Sequence, residues 1–222
     1  MTDMKEEFSI LKDFIVFEGL DGAGTTTQSR LLNEKMNLHK RSSVLTCEPT
    51  ETFIGKTVRH VLQNKEIVAE GTLAKLFAAD RHNHLYHPRD GIITLLNTGK
   101  MVICDRYLFS SLAYQSIDWN FSSVWELNCA FPLPEHLIFL DVPPEEGQRR
   151  ILRRDTPQEI YEKKDLQDEI RANYFHVFSL FENTDMKLHI FDGTLPVKEL
   201  EDLVWKKIKL SDNNTDEDSV SL

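Results

Sequence analysis

The chain is poor in cysteine, in glycine and in long apolar runs, and it carries less positive than negative charge. Its three cysteines, Cys47, Cys104 and Cys129, lie far apart, form no CxxC pair and are odd in number. That pattern excludes a disulfide framework and a thiolate metal site, and it suits a reducing cytoplasm. Cys47 and Cys104 end apolar runs and read as small buried residues. No stretch approaches the roughly 18 uncharged apolar residues of a membrane span. Met1–Glu7 is polar and acidic, unlike a secretory signal. With 26 Lys and Arg against 36 Asp and Glu, the net charge is -10. Such a balance disfavours non-specific contact with nucleic acid or with anionic membranes, so no nucleic-acid and no membrane partner is expected.

The 222 residues, 41% apolar and 28% charged, suit one globular core. No internal repeat and no linker divide them. We read a single domain over residues 1–210 and an acidic tail over 211–222. Asp212, Asp216, Glu217 and Asp218 crowd that tail, which lacks the apolar surface to offset ordering its backbone and is expected to be disordered.

Apolar runs at Asp13–Phe17, Ser42–Cys47, Lys100–Cys104, His136–Leu140 and Lys187–Phe191 read as five strands. Between and after them, helical spacing marks Thr26–Asn37, Ile54–Gln63, Thr72–Tyr86, Tyr107–Gln115, Ser122–Ala130, a helix opening at Pro143–Glu146, a long helix ending near Phe181, and Val197–Ile208. Strands alternating with helices predict an α/β fold, a five-stranded parallel sheet with helices on both faces.

Of only nine glycines, three fall within six residues, at the first strand-to-helix junction: Gly19-Leu20-Asp21-Gly22-Ala23-Gly24-Thr25-Thr26, followed by Thr27. Glycines let the backbone curl around an anion while the helix N-terminus adds its dipole. The usual pattern, G-x-x-x-x-G-K-[ST], places lysine on the β/γ-phosphates and the hydroxyl on Mg²⁺. Thr26 fills the hydroxyl position. Thr25 stands where lysine is expected, so positive charge must come from elsewhere. Arg149, Arg150, Arg153 and Arg154 form a cluster in which spacings of three and four residues pair Arg150 with Arg153 and Arg154, and Arg149 with Arg153, just before a polar segment around Asp155–Glu159. Either they decorate a solvated helix face or they belong to a lid, spanning about residues 148–162, that brings arginine forks over a phosphate.

Further blocks sharpen the reading: Phe17-Glu18-Gly19 before the loop, Glu48-Pro49, Leu76-Phe77-Ala78-Ala79-Asp80-Arg81, Asp105-Arg106-Tyr107 with Ser110-Ser111-Leu112-Ala113-Tyr114-Gln115, and Leu140-Asp141-Val142-Pro143-Pro144-Glu145. With them the sequence resembles the thymidylate kinases, from about Phe14 to Ile208. The resemblance implies a P-loop NTPase-type fold with a lid and phosphorylation of dTMP to dTDP by ATP with Mg²⁺. Phe77 would stack on thymine and Arg81 would bond the base. Arg106 and Arg59 would meet the monophosphate. Asp21 would contact the sugar 3′-hydroxyl, Tyr114 would sit against the sugar, and Ser110 and Ser111 would line the site. Glu48 would act through the water or magnesium shell of the acceptor phosphate. Asp105 would join Thr26 at the metal, unless it caps the next helix. Asp21, Arg106, Arg153 and Arg154 would carry catalysis, the lid arginines standing in for the lysine, and a homodimer packed through helices is implied. The chain departs from the family at Thr25, at Ile160 and at Cys47, each where relatives carry a cation. Two alternatives follow from those losses: a nucleotide-binding pseudoenzyme, or a kinase for another monophosphate or a deoxynucleoside. His82, His84 and His87 do not share one helix face and read as surface or helix-end residues rather than metal ligands.

Overall fold

The computed structural model describes residues 8–63, 65–153, 159–162 and 164–217. Strands β1 (Ile10–Gly19), β2 (Ser43–Cys47), β3 (Met101–Asp105), β4 (Leu133–Asp141) and β5 (Lys187–Asp192) form one sheet in the order β2-β3-β1-β4-β5. Every pairing is parallel. The helices are α1 (Thr25–Leu38), α2 (Phe53–Leu62), α3 (Thr72–Tyr86), α4 (Ile92–Asn97), α5 (Leu108–Tyr114), α6 (Phe121–Asn128), α7 (Pro144–Ile151), α8 (Lys164–Leu180) and α9 (Val197–Glu217).

The two-residue period of a strand sorts the central side chains into two cores. Phe14 and Val16 of β1, Val102 and Cys104 of β3, and Leu137 and Phe139 of β4 pack with α2, α3, α5 and α8. Their neighbours Ile15 and Phe17, Met101 and Ile103, and Ile138 and Leu140 pack with α1 and α9. Burial on both faces explains why the strands read as unbroken apolar runs, each large side chain contributing about 1.5–3 kcal/mol. The register sets the carboxyl ends side by side: Cys47 lies beside Asp105, Phe17 beside Asp105, and Gly19 beside Leu140. Along this edge, around β1 where the strand order reverses, open α/β sheets bind ligands.

The structure departs from the sequence reading in several places, among them β4, which starts at Leu133 rather than His136. Helix α4, a short apolar run bounded by Gly91 and Gly99, has too few turns to show a period. β1 starts earlier, at Ile10, and its register on β4 shifts between Leu11 and Ile15, where Asp13 takes φ 61°. The acidic stretch expected to be disordered from Ser211 instead carries α9 on to Glu217. No glycine or proline stands there to stop a helix.

At the opposite, amino end of the sheet, His136 of β4 and His189 of β5 lie ring to ring, Nδ1 to Nε2 at 2.9 Å. Burial holds both imidazoles down to about 4, helped by the positive charge of Lys187 near each ring and opposed at His136 by Glu135. Arg41 and Asp13 also face His136, and Lys207 faces His189. No described helix is long and apolar enough to cross a membrane.

Candidate functional site

Between β1 and α1 the chain turns through Gly22 at φ 83° and Gly24 at φ 96°, both left-handed, which explains glycine at these two positions. Gly24 is the N-cap of α1 and has no side chain to fill the place where an anion would meet the helix dipole. Gly22 has a second constraint. A Cβ there would lie 2.5 Å from the carbonyl oxygen of Gly147 in α7, and one on Gly147 would lie 2.8 Å from that of Asp21. Loop and α7 therefore dock backbone on backbone. Leu20 turns into the core, and its carbonyl accepts from the Ala23 amide at 3.0 Å.

Thr25 is buried, and its methyl would be 3.3 Å from a Cβ on Gly19, so it packs against the loop itself. Thr26 donates from Oγ1 to Asp105 Oδ2 at 2.5 Å. Spending its hydrogen there leaves the Thr26 hydroxyl oxygen its lone pairs with which to bind a cation. Asp105 Oδ1 is buried with no hydrogen-bond partner among the described residues. Hard oxygen donors at a helix N-terminus, one of them unsatisfied, are the chemistry that suits Mg²⁺. On the far side of the loop, Gly22, Ala23, Gly24, Thr27, Arg150 and Gly193 line a second cleft.

On the other side of Asp21 lies a pocket whose wall includes Asp21, Glu48, Phe77, Arg81, Arg106 and Tyr114. Phe77 and Arg81, one helical turn apart on α3, share it. Arg106, directly after β3, adopts φ 71°, a strained conformation for a side-chain-bearing residue, of a kind that collects at functional sites. Its guanidinium bonds Asp21 at 2.6 Å, the Gly19 carbonyl at 3.1 Å and Ser110 Oγ at 3.1 Å, and lies 5.2 Å from the Tyr114 ring centre. Burial works against that charge, but Tyr114, Asp21, Tyr174 and Glu18 more than restore it, so the Arg106 pKa is raised.

Two further carboxylates support the pocket's arginines, Glu18 by way of Ser110 and Tyr174 and Glu48 directly. Glu18, fully buried, accepts from the Tyr107 and Ser110 amides at 2.9 and 3.1 Å, from Ser110 Oγ at 2.5 Å and from the Tyr174 hydroxyl at 2.8 Å. Burial pushes its carboxyl up, while Arg106 and those hydrogen bonds pull it back. Glu48 Oε2 takes Arg81 Nε at 2.9 Å and a terminal nitrogen at 2.7 Å, and Oε1 meets His84 Nδ1 at 3.0 Å. Arg81 also donates to Ser111 Oγ at 3.0 Å and to Asn128 Oδ1.

Several expectations move. Glu48 lines the pocket with both oxygens engaged by side chains, and so anchors Arg81. Arg59 is not among the residues that line the pocket: it donates to the carbonyls of Thr50, at 2.5 Å, and Pro49 and pairs with Glu51 at 3.0 Å. Those carbonyls lie on the short turn into α2. His84 stands in the last turn of α3, at the helix end, but is buried rather than superficial. Arg149 pairs with Glu146 in solvent, and Arg150 bonds Glu146 at 2.8 Å and the carbonyls of Gly193 and Gly22 at 3.0 and 3.3 Å. The hydrogen bonds from Arg149 and Arg150 hold Glu146 down to about 2. Arg153 is exposed, Arg154 lies outside the described residues, and so does the lid between them and Glu159. Asn128 and Tyr174 carry no expectation from the sequence, Glu18 and Gln115 appear there only inside motifs, and His84 only as a surface or helix-end residue. Glu18 and Gln115 stand as single polar residues at the end of apolar runs, a weak signal, whereas His84, Tyr174 and Asn128 have polar neighbours and give none.

The thymidylate kinase family model matches residues 17–204. A putative thymidylate kinase of Treponema pallidum is 45% identical over 170 residues, 77% of this chain and 81% of that protein. A probable thymidylate kinase of Methanococcus aeolicus is 37% identical over 201 residues, 89% of this chain and 96% of that protein. Among solved structures, a thymidylate kinase from Candida albicans superposes with a TM-score of 0.76 at 24% identity, covering 90% of this chain and 92% of that one.

Proposed function

The chain belongs to the thymidylate kinase family, and on that premise we propose that it transfers the terminal phosphoryl group of ATP to dTMP, giving dTDP, across the loop between the two clefts. The observation that carries this reading is one pocket holding Phe77 and Arg81 at one end and Arg106 with Asp21 at the other. An aromatic face and a buried guanidinium suit a pyrimidine, and a second guanidinium suits its phosphate.

In this assignment the donor phosphates lie on the backbone of Gly19–Thr27, with the rest of the nucleotide in the cleft beside Arg150 and Gly193. Asp21 receives the sugar hydroxyl, and Tyr114 closes on the ring. Ser110 holds Arg106 in place, and Ser111 does the same for Arg81. Gln115, whose buried Oε1 has no partner among the described residues, offers an acceptor to the N3–H of the base. Thr26 and Asp105 would hold Mg²⁺, which when bound neutralises charge on the β- and γ-phosphates. Arg106 aligns the acceptor phosphate, and Arg150, Arg153 and Arg154 supply the cation that Thr25 does not. No covalent intermediate is needed, because positioning and electrostatics lower the barrier. We assign the protein to the cytoplasm as a homodimer, on family grounds.

A coupled assay of ADP release over a panel of nucleoside monophosphates tests the reading. dTMP is expected to be turned over fastest. Absence of turnover with dTMP at high enzyme and Mg²⁺ would sink it.

A further inference from the structure

Glu48 does not reach Arg81 alone. Behind it a line of hydrogen bonds leads out of the pocket: Glu48 Oε1 to His84 Nδ1 at 3.0 Å, then His84 Nε2 to Thr46 Oγ1 at 2.6 Å. Thr46 and His84 also line a groove beside the edge strand β2, away from the nucleotide pocket. Glu48 and Arg81 are almost wholly buried, and the His84 side chain is 8% exposed.

We propose that His84 is a positioning residue for the acceptor base: by occupying Glu48 Oε1 it confines Arg81 to Oε2 and so aims the guanidinium at Ser111, Asn128 and the pocket. The inference rests on the assignment of that pocket to dTMP. The physical argument concerns alternatives open to a carboxylate. An arginine facing an unshared carboxylate prefers the two-pronged arrangement, one nitrogen on each oxygen. Here Nε and a terminal nitrogen both fall on Oε2, because Oε1 is already spoken for. Without the imidazole, Oε1 would be buried and unpaired, a costly state. Arg81 would relieve it by rotating into the fork, and that rotation carries its terminal nitrogen off Ser111, 3.0 Å away. Glu48, a carboxylate that can only accept, calls for the proton on His84 Nδ1, and the Thr46 hydroxyl holds the far nitrogen.

His84→Leu removes the donor; His84→Asn keeps an N–H near the Nδ1 position; Thr46→Val removes only the hydroxyl. The expected result is about a tenfold rise in KM for dTMP in His84→Leu, with KM for ATP and kcat within about twofold (tenfold corresponds to about 1.4 kcal/mol). His84→Asn restores KM to within about threefold of wild type, and Thr46→Val gives a smaller rise than His84→Leu. Equal KM values for dTMP in His84→Leu and wild type would overturn the proposal. So would a fall in kcat and Tm with KM unchanged, the mark of a merely structural histidine. If His84→Leu does not fold, the Thr46→Val and His84→Asn pair decides on the same readout. The Arg81 Nε–H resonance, recorded without nucleotide, separates this idea from the pocket assignment. It is expected to be protected from solvent exchange in wild type and His84→Asn and shifted in His84→Leu, even if dTMP proves not to be the acceptor. An unchanged resonance in His84→Leu overturns the positioning role by itself.

Discussion

Mild acid should weaken this protein through one identifiable pair of side chains, His136 and His189. Each ring is held down to about 4 by burial, against an ordinary value near 6.5. A depressed histidine pKa means that the folded state binds protons less readily than the unfolded chain. The stability it protects is complete above pH 6.5 and drains away as pH falls from 6.5 toward 4. Between pH 7.5 and 5.5 the linkage relation gives a loss of about 1.3 kcal/mol for each ring treated alone. The rings share one hydrogen bond and His189 is partly open to solvent, so the pair is worth about 2 kcal/mol over that window. Urea unfolding at pH 7.5, 6.5 and 5.5 measures it, with the double variant His136→Gln/His189→Gln as the reference that cannot titrate at these sites. Wild type is expected to lose about 2 kcal/mol more than the variant on going to pH 5.5. Parallel curves for the two proteins would refute the assignment, and a smaller loss in wild type would reverse its sign.

Arg106→Ala should lower kcat/KM for dTMP by at least about 100-fold, because it strips the acceptor phosphate of its cation and leaves Glu18 buried without its main counter-charge; a drop under tenfold would contradict its role. Thr25→Lys should alter kcat by less than about tenfold if arginines already supply the missing charge; a much larger gain in single-turnover rate would mean that they do not. Asp105→Asn should raise the Mg²⁺ concentration for half-maximal rate by about tenfold or more with the fold intact, as read by a metal titration alongside circular dichroism. Gly22→Ala must place a methyl against the Gly147 carbonyl at positive φ, so a loss of about 1–3 kcal/mol is expected in thermal unfolding, together with loss of activity.

Much of the frame was legible in the sequence because local rules govern it. Apolar runs of strand length, helical spacing over Thr72–Tyr86 and the glycines of the loop are each short-range signals, and the five strands and main helices stand close to their predicted limits. The pocket was legible only as a set of residue types. Which atoms they face depends on contacts across the chain: Glu18 meets Tyr174, and Arg81 meets Asn128, through elements that only the sheet order brings together. Arg59 shows the limit from the other direction. Its type and spacing are right for a phosphate ligand, yet nearby carbonyls of the turn before α2 take its donors. No periodicity encodes that choice. The chain Thr46–His84–Glu48–Arg81 was hidden for the same reason, since its members sit on β2, on α3 and in the turn between β2 and α2.

The contact between Gly22 and Gly147 has a consequence for how this protein can vary. Each position tolerates no Cβ because of the other's backbone neighbourhood, although one belongs to the first loop and the other to a helix in the second half of the chain. The two halves are therefore not interchangeable modules. A chimera joined anywhere between them will work only if the parent that supplies the loop carries glycine at 22 and the parent that supplies α7 carries glycine at 147, and a bulky change at either site should be rescued by no single change at the other. Heredity must treat the phosphate loop and the first turns of α7 as one unit, however far apart the gene places them.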